Sequence, residues 1–378
     1  MQTCDALIVG GGPAGSACAT RLKEAGLDVL VLDKAAFPRD KPCAGWITPQ
    51  VVEALRLSPK QYADGRTFQP ITGFVTGLLG GEPIETRYDR PVSYGIRRCE
   101  FDRFLLERSG ARVRAGTPVT SLRRHHGDWV VNEDVRTPLV VGAGGHFCPV
   151  ARFLGGPPER DVTVVAQEVE YRMDARTQDA CAVRPEVPEL YFSADRRGYG
   201  WCFRKGAFLN VGLGRQGEAH LSRHVADFVS WLQGRGRLPH DLPSRFRGHA
   251  YLLNGTSPRP LLGEGALLIG DAAGLAYTES GEGIRPAVES GFLAAAVVLG
   301  TGDRYRREDL EPYETRIRER FGTRKLHRPA LSWFPEPLRS RLTTGFLSNP
   351  WLARHVLLDR WFLRTGVATF SPDTVATA

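Results

Sequence analysis

Residues 6–33 of the chain, ALIVGGGPAGSACATRLKEAGLDVLVLD, decide the fold. The apolar runs near the two ends are rich in branched side chains, which predicts two buried strands, residues 6–9 and 29–32. Between them lie a glycine loop and a helical pattern over residues 14–25, which Gly26 ends. The stretch therefore predicts a βαβ unit, in which a helix joins two parallel strands.

The glycine loop has the spacing GxGxxG, and each glycine has a separate physical role. Gly10 permits the tight turn, Gly12 lets the backbone approach a pyrophosphate, and Gly15 lets the helix pack closely on the strand. Asp33 ends the second strand at the distance that a ribose hydroxyl requires. Free N–H groups at the helix start attract phosphate. The residues predicted to contact a dinucleotide are Gly10, Gly12, Pro13, Ala14, Gly15, Asp33 and Lys34.

A second motif, GDAAG at residues 270–274, directly follows an apolar strand at residues 266–269. A carboxylate at a strand end, such as that of Asp271, can accept hydrogen bonds from the hydroxyls of a ribityl chain. On its own, Gly270-Asp271 would be interpreted as an aspartate in an ordinary turn. Together with the N-terminal loop, it favours a flavin.

A third motif, GEGI at residues 281–284, precedes Pro286 and an apolar helix predicted over residues 285–299. Proline is common at helix starts, where N–H groups lack partners within the helix. The N–H groups around Gly281, Gly283 and Ile284 therefore suit the pyrimidine edge of a flavin, and the helix dipole favours negative charge there. The three motifs together predict FAD.

Between the nucleotide-type elements, residues 67–94 and 162–213 contain patterns typical of sheet strands. We therefore predict an α/β fold, with a Rossmann-like FAD-binding domain built from separated segments and a sheet-rich substrate domain inserted into it. The FAD-binding domain is predicted from residues 1–70, 96–155 and 256–320. The substrate domain takes residues 71–95 and 156–255, and residues 321–378 form a helical C-terminal region.

Five stretches carry a resemblance to a known family: GGGPAGSACA, FPRDKPCAGWIT, YGIRRCEFDRFLL, YGWCFRKGAFLNVGLG and LLIGDAAGLAYTESGEGIRPAVESG. They span about the first 300 residues in the family's order. The chain resembles the FAD-dependent geranylgeranyl reductases, within the flavoprotein monooxygenases of the para-hydroxybenzoate hydroxylase fold. The resemblance implies bound FAD and reduction of an unsaturated, largely apolar substrate.

The resemblance also implies roles for single residues. Arg98 matches an arginine that helps to hold FAD, and Asp271 matches the ribityl ligand. Cys43 matches a cysteine near the flavin, and Ala44 beside it replaces a common glycine. Gly144 stands where the wider group usually has an aspartate, so the handling of flavin and of nicotinamide could both differ. His146, Cys148 and Arg152 follow, and we expect them to be structural.

Aromatic residues of the sheet-rich middle are candidates for a substrate pocket. Tyr199, Trp201 and Phe203 share one face at strand spacing, and such a stripe either floors an apolar pocket or belongs to the ordinary core. The predicted pocket residues are Trp46, Tyr191, Tyr199, Trp201 and Phe203. Cys43 and Tyr199 are the candidate proton donors. The halogenase motif GWxWxIP is absent from residues 200–206, which argues against halogenation.

Three functions remain open at this point. The first is a reductase that transfers a hydride from reduced FAD to an unsaturated apolar substrate, with NAD(P)H expected as the electron donor. The second is an FAD-dependent monooxygenase that hydroxylates an aromatic or peptidyl substrate. The third is a flavin-binding interaction protein without catalysis.

Composition narrows the partners. The net charge of +8 favours anionic partners, but no block of Lys and Arg resembles a nucleic-acid arm, so we expect no nucleic acid. The seven cysteines are scattered, which indicates a reducing compartment and no metal site.

The N-terminus lacks a basic leader, and we expect a cytoplasmic protein. A helix over residues 349–364 spreads its charges around all faces, so packing is favoured over peripheral membrane contact. The sequence does not indicate an oligomeric state.

Overall fold

A computed structural model describes residues 1–155, 163–195, 197–217, 220–255, 259–322, 345 and 347–371. Two large sheets organise them. In pairing order, the six-stranded sheet contains Leu262–Gly263, Ala266–Leu268, Leu139–Gly142, Ala6–Val9, Val29–Leu32 and Arg112–Arg114. Its neighbouring strands run parallel, except for the antiparallel first pair. The two strands of the predicted βαβ unit lie side by side near its centre.

The central strands of the six-stranded sheet are apolar and buried, as expected of parallel strands covered on both faces. Helix Pro13–Glu24 joins two of them and packs against helix Ile284–Gly300. Gly291 permits this close packing, because a Cβ atom there would lie 2.4 Å from the Ala14 carbonyl oxygen. The start of each helix is thereby fixed beside the same edge of the sheet.

The seven-stranded sheet is mostly antiparallel. In pairing order, it contains Arg247–Leu252, Thr163–Arg172, Phe208–Gln216, Gly198–Lys205, Glu189–Phe192, Gly73–Leu78 and Ile84–Arg87. One pair, Glu189–Phe192 with Gly73–Leu78, is parallel. Residues from both predicted substrate-domain segments therefore join in one sheet.

The two faces of the seven-stranded sheet are covered differently. Helix Leu221–Gly234 packs on one face, where the Phe228 ring fills the space above Gly200. The other face carries an aromatic cluster, on which a π-helical segment, Ala353–Phe362, packs through Leu358 and Phe362. π-helical segments are frequent at functional sites.

Smaller elements complete the fold. A three-stranded sheet contains Trp46–Ile47, Ser93–Ile96 and Phe68–Ile71, and a four-stranded sheet contains Gln2–Thr3, Val135–Thr137, Asp128–Val131 and Leu122–His125. The further helices are Pro49–Ala54, Pro59–Ala63, Arg98–Arg108, Pro149–Leu154, Ala175–Ala180, Arg307–Leu310, Pro312–Phe321 and Pro350–Leu352.

This architecture confirms the predicted fold class, with separated segments around an inserted sheet. Two of the predicted domain boundaries, 70/71 and 95/96, fall inside Phe68–Ile71 and Ser93–Ile96. These strands pair with each other, so both boundaries lie within the three-stranded sheet, and the predicted division into domains stays a prediction. In the predicted C-terminal region, residues 323–344, 346 and 372–378 lie outside the described residues. No helix among the described residues is long and apolar enough to cross a membrane.

Candidate active site

A cavity of about 590 Å³ lies between the glycine loop of the six-stranded sheet and the aromatic face of the seven-stranded sheet. It brings together residues that are far apart in the sequence. The predicted site residues that line it are Gly10, Gly12, Pro13, Ala14, Asp33, Lys34, Cys43, Ala44, Trp46, Arg98, Tyr199, Trp201, Asp271, Gly281, Gly283 and Ile284. Gly15, Gly270, Tyr191 and Phe203 do not line it.

The glycine loop shows why its three glycines differ. Gly10 has a φ of +115°, and a Cβ atom there would lie 2.4 Å from the Ala143 carbonyl oxygen. A Cβ atom on Gly15 would lie 1.9 Å from the Gly10 carbonyl oxygen, so Gly15 packs behind the loop. Above Gly12, by contrast, the nearest atom is Nη2 of Arg39, at 3.4 Å from a Cβ position. The loop is therefore closed behind and open in front, at the start of a helix, where a phosphate fits.

Asp33 holds the loop in this shape. Its Oδ2 accepts a hydrogen bond from the Gly11 N–H at 2.8 Å, and its Oδ1 accepts one from the Ala35 N–H at 2.9 Å. Asp33 is buried but still lines the cavity. Its expected contact with a ribose hydroxyl stays a prediction.

Two arginines border the loop, and sequence reasoning found only one of them. Arg98 is buried and makes a bidentate pair with Asp102, at 2.9 and 2.8 Å. Burial acts to lower the Arg98 pKa, but Asp102 raises it overall. Arg39 lies 3.2 Å from an Asp102 oxygen and 3.7 Å from an Asp33 oxygen, so it bridges the two carboxylates beside Gly12. The sequence signal for Arg39 was its position, as a basic residue six positions after Asp33.

Asp271 lies in a short 3-10 turn, Gly270–Ala272, after the strand Ala266–Leu268. Its Oδ2 lies 2.8 Å from Lys41 Nζ and 3.7 Å from His249 Nε2. Burial acts to raise the Asp271 pKa, but Lys41 and His249 lower it overall, so the carboxylate is ionised. Burial, followed by the Lys41 charge, lowers the pKa of His249 to about 4. Sequence reasoning missed Lys41 and His249, because only the folded chain brings them to Asp271.

The turn glycine Gly270 supports this carboxylate from behind. It has a φ of +58°, and a Cβ atom there would lie 3.0 Å from the Ala14 Cβ and 3.3 Å from the Ala287 Cβ. Gly270 therefore packs between two helix starts and does not reach the cavity.

The start of helix Ile284–Gly300 forms another part of the cavity wall. Gly283 caps the helix, and its Cβ position lies 3.2 Å from Asp271 Oδ1, so this end is close to the buried carboxylate. Gly281 has a φ of +69° and lies against the Tyr251 hydroxyl. Between them, Glu282 accepts a hydrogen bond from the Arg285 N–H at 3.3 Å, and burial raises its pKa to about 7.

The seven-stranded sheet forms the opposite wall. Trp201 donates from Nε1 to Asn210 Oδ1 at 2.7 Å, and Asn210 donates to the Cys43 carbonyl at 3.1 Å. The Cys43 Sγ accepts from the Gly45 N–H at 3.4 Å. The Tyr199 hydroxyl donates to the Ser280 carbonyl at 2.6 Å, and burial raises its pKa. Tyr199 is thus a neutral phenol whose proton is already committed.

Two predicted pocket residues lie elsewhere, and strand register explains both. Tyr191 pairs with Gly200, so it lies on the face opposite to Tyr199 and packs against Phe228 and Trp231. Its assignment to the pocket was wrong. Phe203 lies on the cavity side but packs behind Trp46, at a ring distance of 6.2 Å, so it supports the wall without lining it.

The departure at Gly144 has a local cause. A Cβ atom there would lie 3.3 Å from the Cys148 Sγ and Cα atoms, so a side chain at position 144 would crowd Cys148. Cys148 is buried, while His146 and Arg152 line the cavity. The described part of the chain contains no cluster of three or more His, Cys, Asp or Glu arranged to hold a metal ion.

Comparison with known proteins supports the FAD interpretation. The model of the FAD binding domain family matches residues 3–297. The chain is 32% identical to a menaquinone reductase of Mycobacterium tuberculosis over 320 residues, covering 79% of this chain and 77% of that one. It is 26% identical to a digeranylgeranylglycerophospholipid reductase of Methanococcus vannielii, covering 84% and 83%. The fold matches a geranylgeranyl bacteriochlorophyll reductase-like structure from Thermoplasma acidophilum with a TM-score of 0.77 and 22% identity, covering 96% and 97%.

Proposed function

The chain belongs to the FAD-binding-domain family and is an FAD-dependent oxidoreductase of the geranylgeranyl reductase type, and we propose that it reduces a carbon–carbon double bond in an apolar substrate. The observation that carries this proposal is the pairing of two unlike walls in one cavity. The wall around the glycine loop is polar and suits a dinucleotide. The wall formed by the seven-stranded sheet is aromatic and suits an apolar substrate.

The residues on the first wall fit FAD. The open face of Gly12 and the start of helix Pro13–Glu24 would hold the pyrophosphate, with Arg39 beside them. The ionised Asp271 would accept hydrogen bonds from the ribityl hydroxyls. Gly283 lies beside the Asp271 carboxylate, so the start of its helix borders the same part of the cavity. When bound, FAD supplies two-electron redox chemistry in the form of hydride transfer.

The residues on the second wall would orient an apolar substrate. Trp46, Trp201 and Ala166 line the cavity there, and Phe362 packs against Trp46 and Tyr199 without lining it, at ring distances of 6.1 and 5.5 Å. Such a wall excludes water and contacts carbon atoms without demanding hydrogen bonds. Two relatives are named as reductases of menaquinone and of digeranylgeranylglycerophospholipid, which supports an unsaturated apolar substrate for this chain.

NAD(P)H is the electron donor that we propose for the reaction. Arg39 and Arg152 border the cavity and favour an anionic donor over a neutral one. Anaerobic bleaching of the flavin absorbance by NADH or NADPH tests this part separately. No bleaching with either nucleotide would mean a different donor.

The test of the main proposal is the mass of the product. The purified protein, with reduced FAD and a polyprenyl substrate under anaerobic conditions, should yield a product that is heavier by two hydrogens. A Gly12→Val variant, which lacks the open phosphate face, provides the matched control without bound FAD. A product that forms only with oxygen and contains an added oxygen atom would make the protein a monooxygenase instead.

A further inference from the structure

Glu168 is a buried acid at the centre of the cavity's second wall. It lies in strand Thr163–Arg172, is 6% exposed, and lines the cavity together with Cys43 and Trp201. Sequence reasoning gave it no role. A buried carboxyl group in an otherwise aromatic wall is costly unless it is neutral or paired, so its partners decide what it can do.

Glu170 is two residues along the strand, on the same face, and provides a direct comparison. The Lys205 ammonium lies 2.6 Å from Glu170 Oε2, and Arg97 Nε lies 3.2 Å from Oε1. Burial acts to raise the Glu170 pKa, but these cations lower it overall, so this carboxylate is ionised. Glu170 is thus a paired structural anion.

Glu168 is held by amide groups, and it shares the Asn210 amide with Glu170. Asn210 Nδ2 donates to its Oε2 at 3.3 Å, and the Cys43 backbone N–H donates to its carboxyl group. No cation in the described part of the chain forms an ion pair with it. The surrounding charges are committed elsewhere: Lys205 and Arg97 bind Glu170, Arg247 on the neighbouring strand binds Asp40, and His249 faces Asp271. Burial raises the Glu168 pKa to about 7.

The backbone keeps this acid beside the aromatic wall. Gly212 pairs with Glu168 on one side and with Trp201 on the other. A Cβ atom on Gly212 would lie 2.4 Å from the Trp201 ring and 2.7 Å from the Glu168 Cβ. Only a glycine lets the Trp201 ring lie across this strand towards Glu168. An apolar substrate on the ring would therefore lie next to the carboxyl group.

We propose that Glu168 is the proton donor for the reduction. As a hydride from the reduced flavin adds to one carbon of the double bond, which forms a C–H bond and leaves the flavin oxidised, the π electron pair takes the Glu168 proton at the other carbon. The O–H bond of Glu168 breaks, and the resulting carboxylate regains a proton from solvent. This role rests on the proposed function. Tyr199, one of the two proton donors predicted from the sequence, already donates its hydroxyl proton to the Ser280 carbonyl, which favours Glu168 over it.

Glu168→Gln is the variant that tests the role. The glutamine keeps the size of the side chain and can still accept the Cys43 N–H bond, but it has no acidic proton. Glu282→Gln is the comparison variant, because Glu282 is a second buried acid of the cavity with a similarly raised pKa, and the pH profile shows which of the two acids supplies the proton. Glu168→Gln should bind FAD like the wild type, and the rates of both variants are compared per bound flavin.

The first readout is single-turnover substrate reduction without oxygen, from pH 5.5 to 9. The wild-type rate should fall above about pH 7, as the donor loses its proton. Glu168→Gln should be about 10²–10⁴-fold slower with no such fall, whereas Glu282→Gln should keep the wild-type pH profile. A wild-type rate and profile in Glu168→Gln, or loss of the profile in Glu282→Gln alone, would overturn the assignment.

The second readout needs no turnover. Infrared titration of the resting protein should show protonated carboxyl absorption near neutral pH from Glu168 and Glu282, and Glu168→Gln should lose the Glu168 part of it. An unchanged band pattern in that variant would show that Glu168 is ionised and overturn its role, whatever the reaction. If the wild type reduces no double bond at all, the proposed function fails first. If it does so and Glu168→Gln matches it, only the proton-donor role fails.

Discussion

The two walls of the cavity contain buried carboxyl groups in opposite states. On the glycine-loop wall, Asp271 is ionised, since Lys41 and His249 outweigh the cost of burial. On the sheet wall, Glu168 has only amide partners, and burial raises its pKa to about 7. The difference teaches that one cavity can hold a permanent hydrogen-bond acceptor on one wall and a proton source on the other. The first state suits binding, and the second suits chemistry.

Breaking the glycine-loop wall should have the largest effect. Gly12→Val places a branched side chain on the open face of the loop, while the loop itself has room to fold around it. We expect nearly complete loss of FAD with native-like thermal unfolding. Flavin absorbance per protein measures this. Gly300→Val is the control, since a Cβ atom at Gly300 meets no atom within 4 Å. Full flavin occupancy in Gly12→Val would contradict the placement of the pyrophosphate.

The acceptor on the same wall can be removed separately. Asp271→Ala deletes the carboxylate that Lys41 and His249 face, and hydrogen bonds to charged groups contribute about 1.5–3 kcal/mol each. We expect FAD affinity to fall by about 10- to 100-fold. Titration of the apoprotein, followed by flavin fluorescence, gives the dissociation constant. Asp179→Ala, at an exposed position, should leave it unchanged. Equal affinities for the two variants would refute the ribityl role.

The pH dependence of stability sharpens the comparison on the sheet wall. The folded protein holds the Glu168 proton up to about pH 7, whereas an exposed glutamate has a pKa of 4.5. Through this group, the free energy of unfolding therefore falls as pH rises from 4.5 to 7, by about 3 kcal/mol in total. Glu168→Gln lacks this loss, so its stability relative to wild type should increase from pH 4.5 to pH 8. Urea denaturation at both pH values measures it. Glu282 acts equally in both proteins and cancels. A pH-independent difference would show that Glu168 is not protonated.

The smallest effect is expected on the far side of the sheet. Tyr191 donates to Glu189 at 2.8 Å, away from the cavity, so Tyr191→Phe should cost about 1 kcal/mol of stability and leave substrate reduction unchanged. Tyr199→Phe removes the bond to Ser280 in the cavity and should slow the reaction. Thermal unfolding and single-turnover rates of the pair test the register. A slower reaction in Tyr191→Phe would place that face in the site.

The same contrast explains how much the sequence could predict. The glycine loop depends on residues 10–15 and on Asp33, which are close in the chain. Their spacing alone indicated the tight turn at Gly10, the open backbone at Gly12 and the close helix packing at Gly15. The separated-segment fold followed from the order of these motifs. Lys41 could not be assigned in this way, because its partner Asp271 is 230 residues away.

The sheet wall depends on pairing between strands, which no local pattern shows. Tyr191 and Tyr199 are both aromatic strand residues and both buried or half-buried, yet they lie on opposite faces because Tyr191 pairs with Gly200. The sequence could not single out Glu168 as a functional acid either, since Glu170 is also a glutamate and lies on the same face of the same strand. Asn210 donates to both acids, so only the placement of Lys205 and Arg97 against Glu170 distinguishes them.

The most direct test of the central claim is the reoxidation of reduced flavin in a single turnover. The protein is first reduced under anaerobic conditions and then mixed with a polyprenyl substrate, and the flavin absorbance is followed without oxygen. We predict that the oxidised spectrum returns with substrate and that the double bond is saturated in the product. A flavin that stays reduced until oxygen is admitted, and then yields a hydroxylated product, would contradict the account.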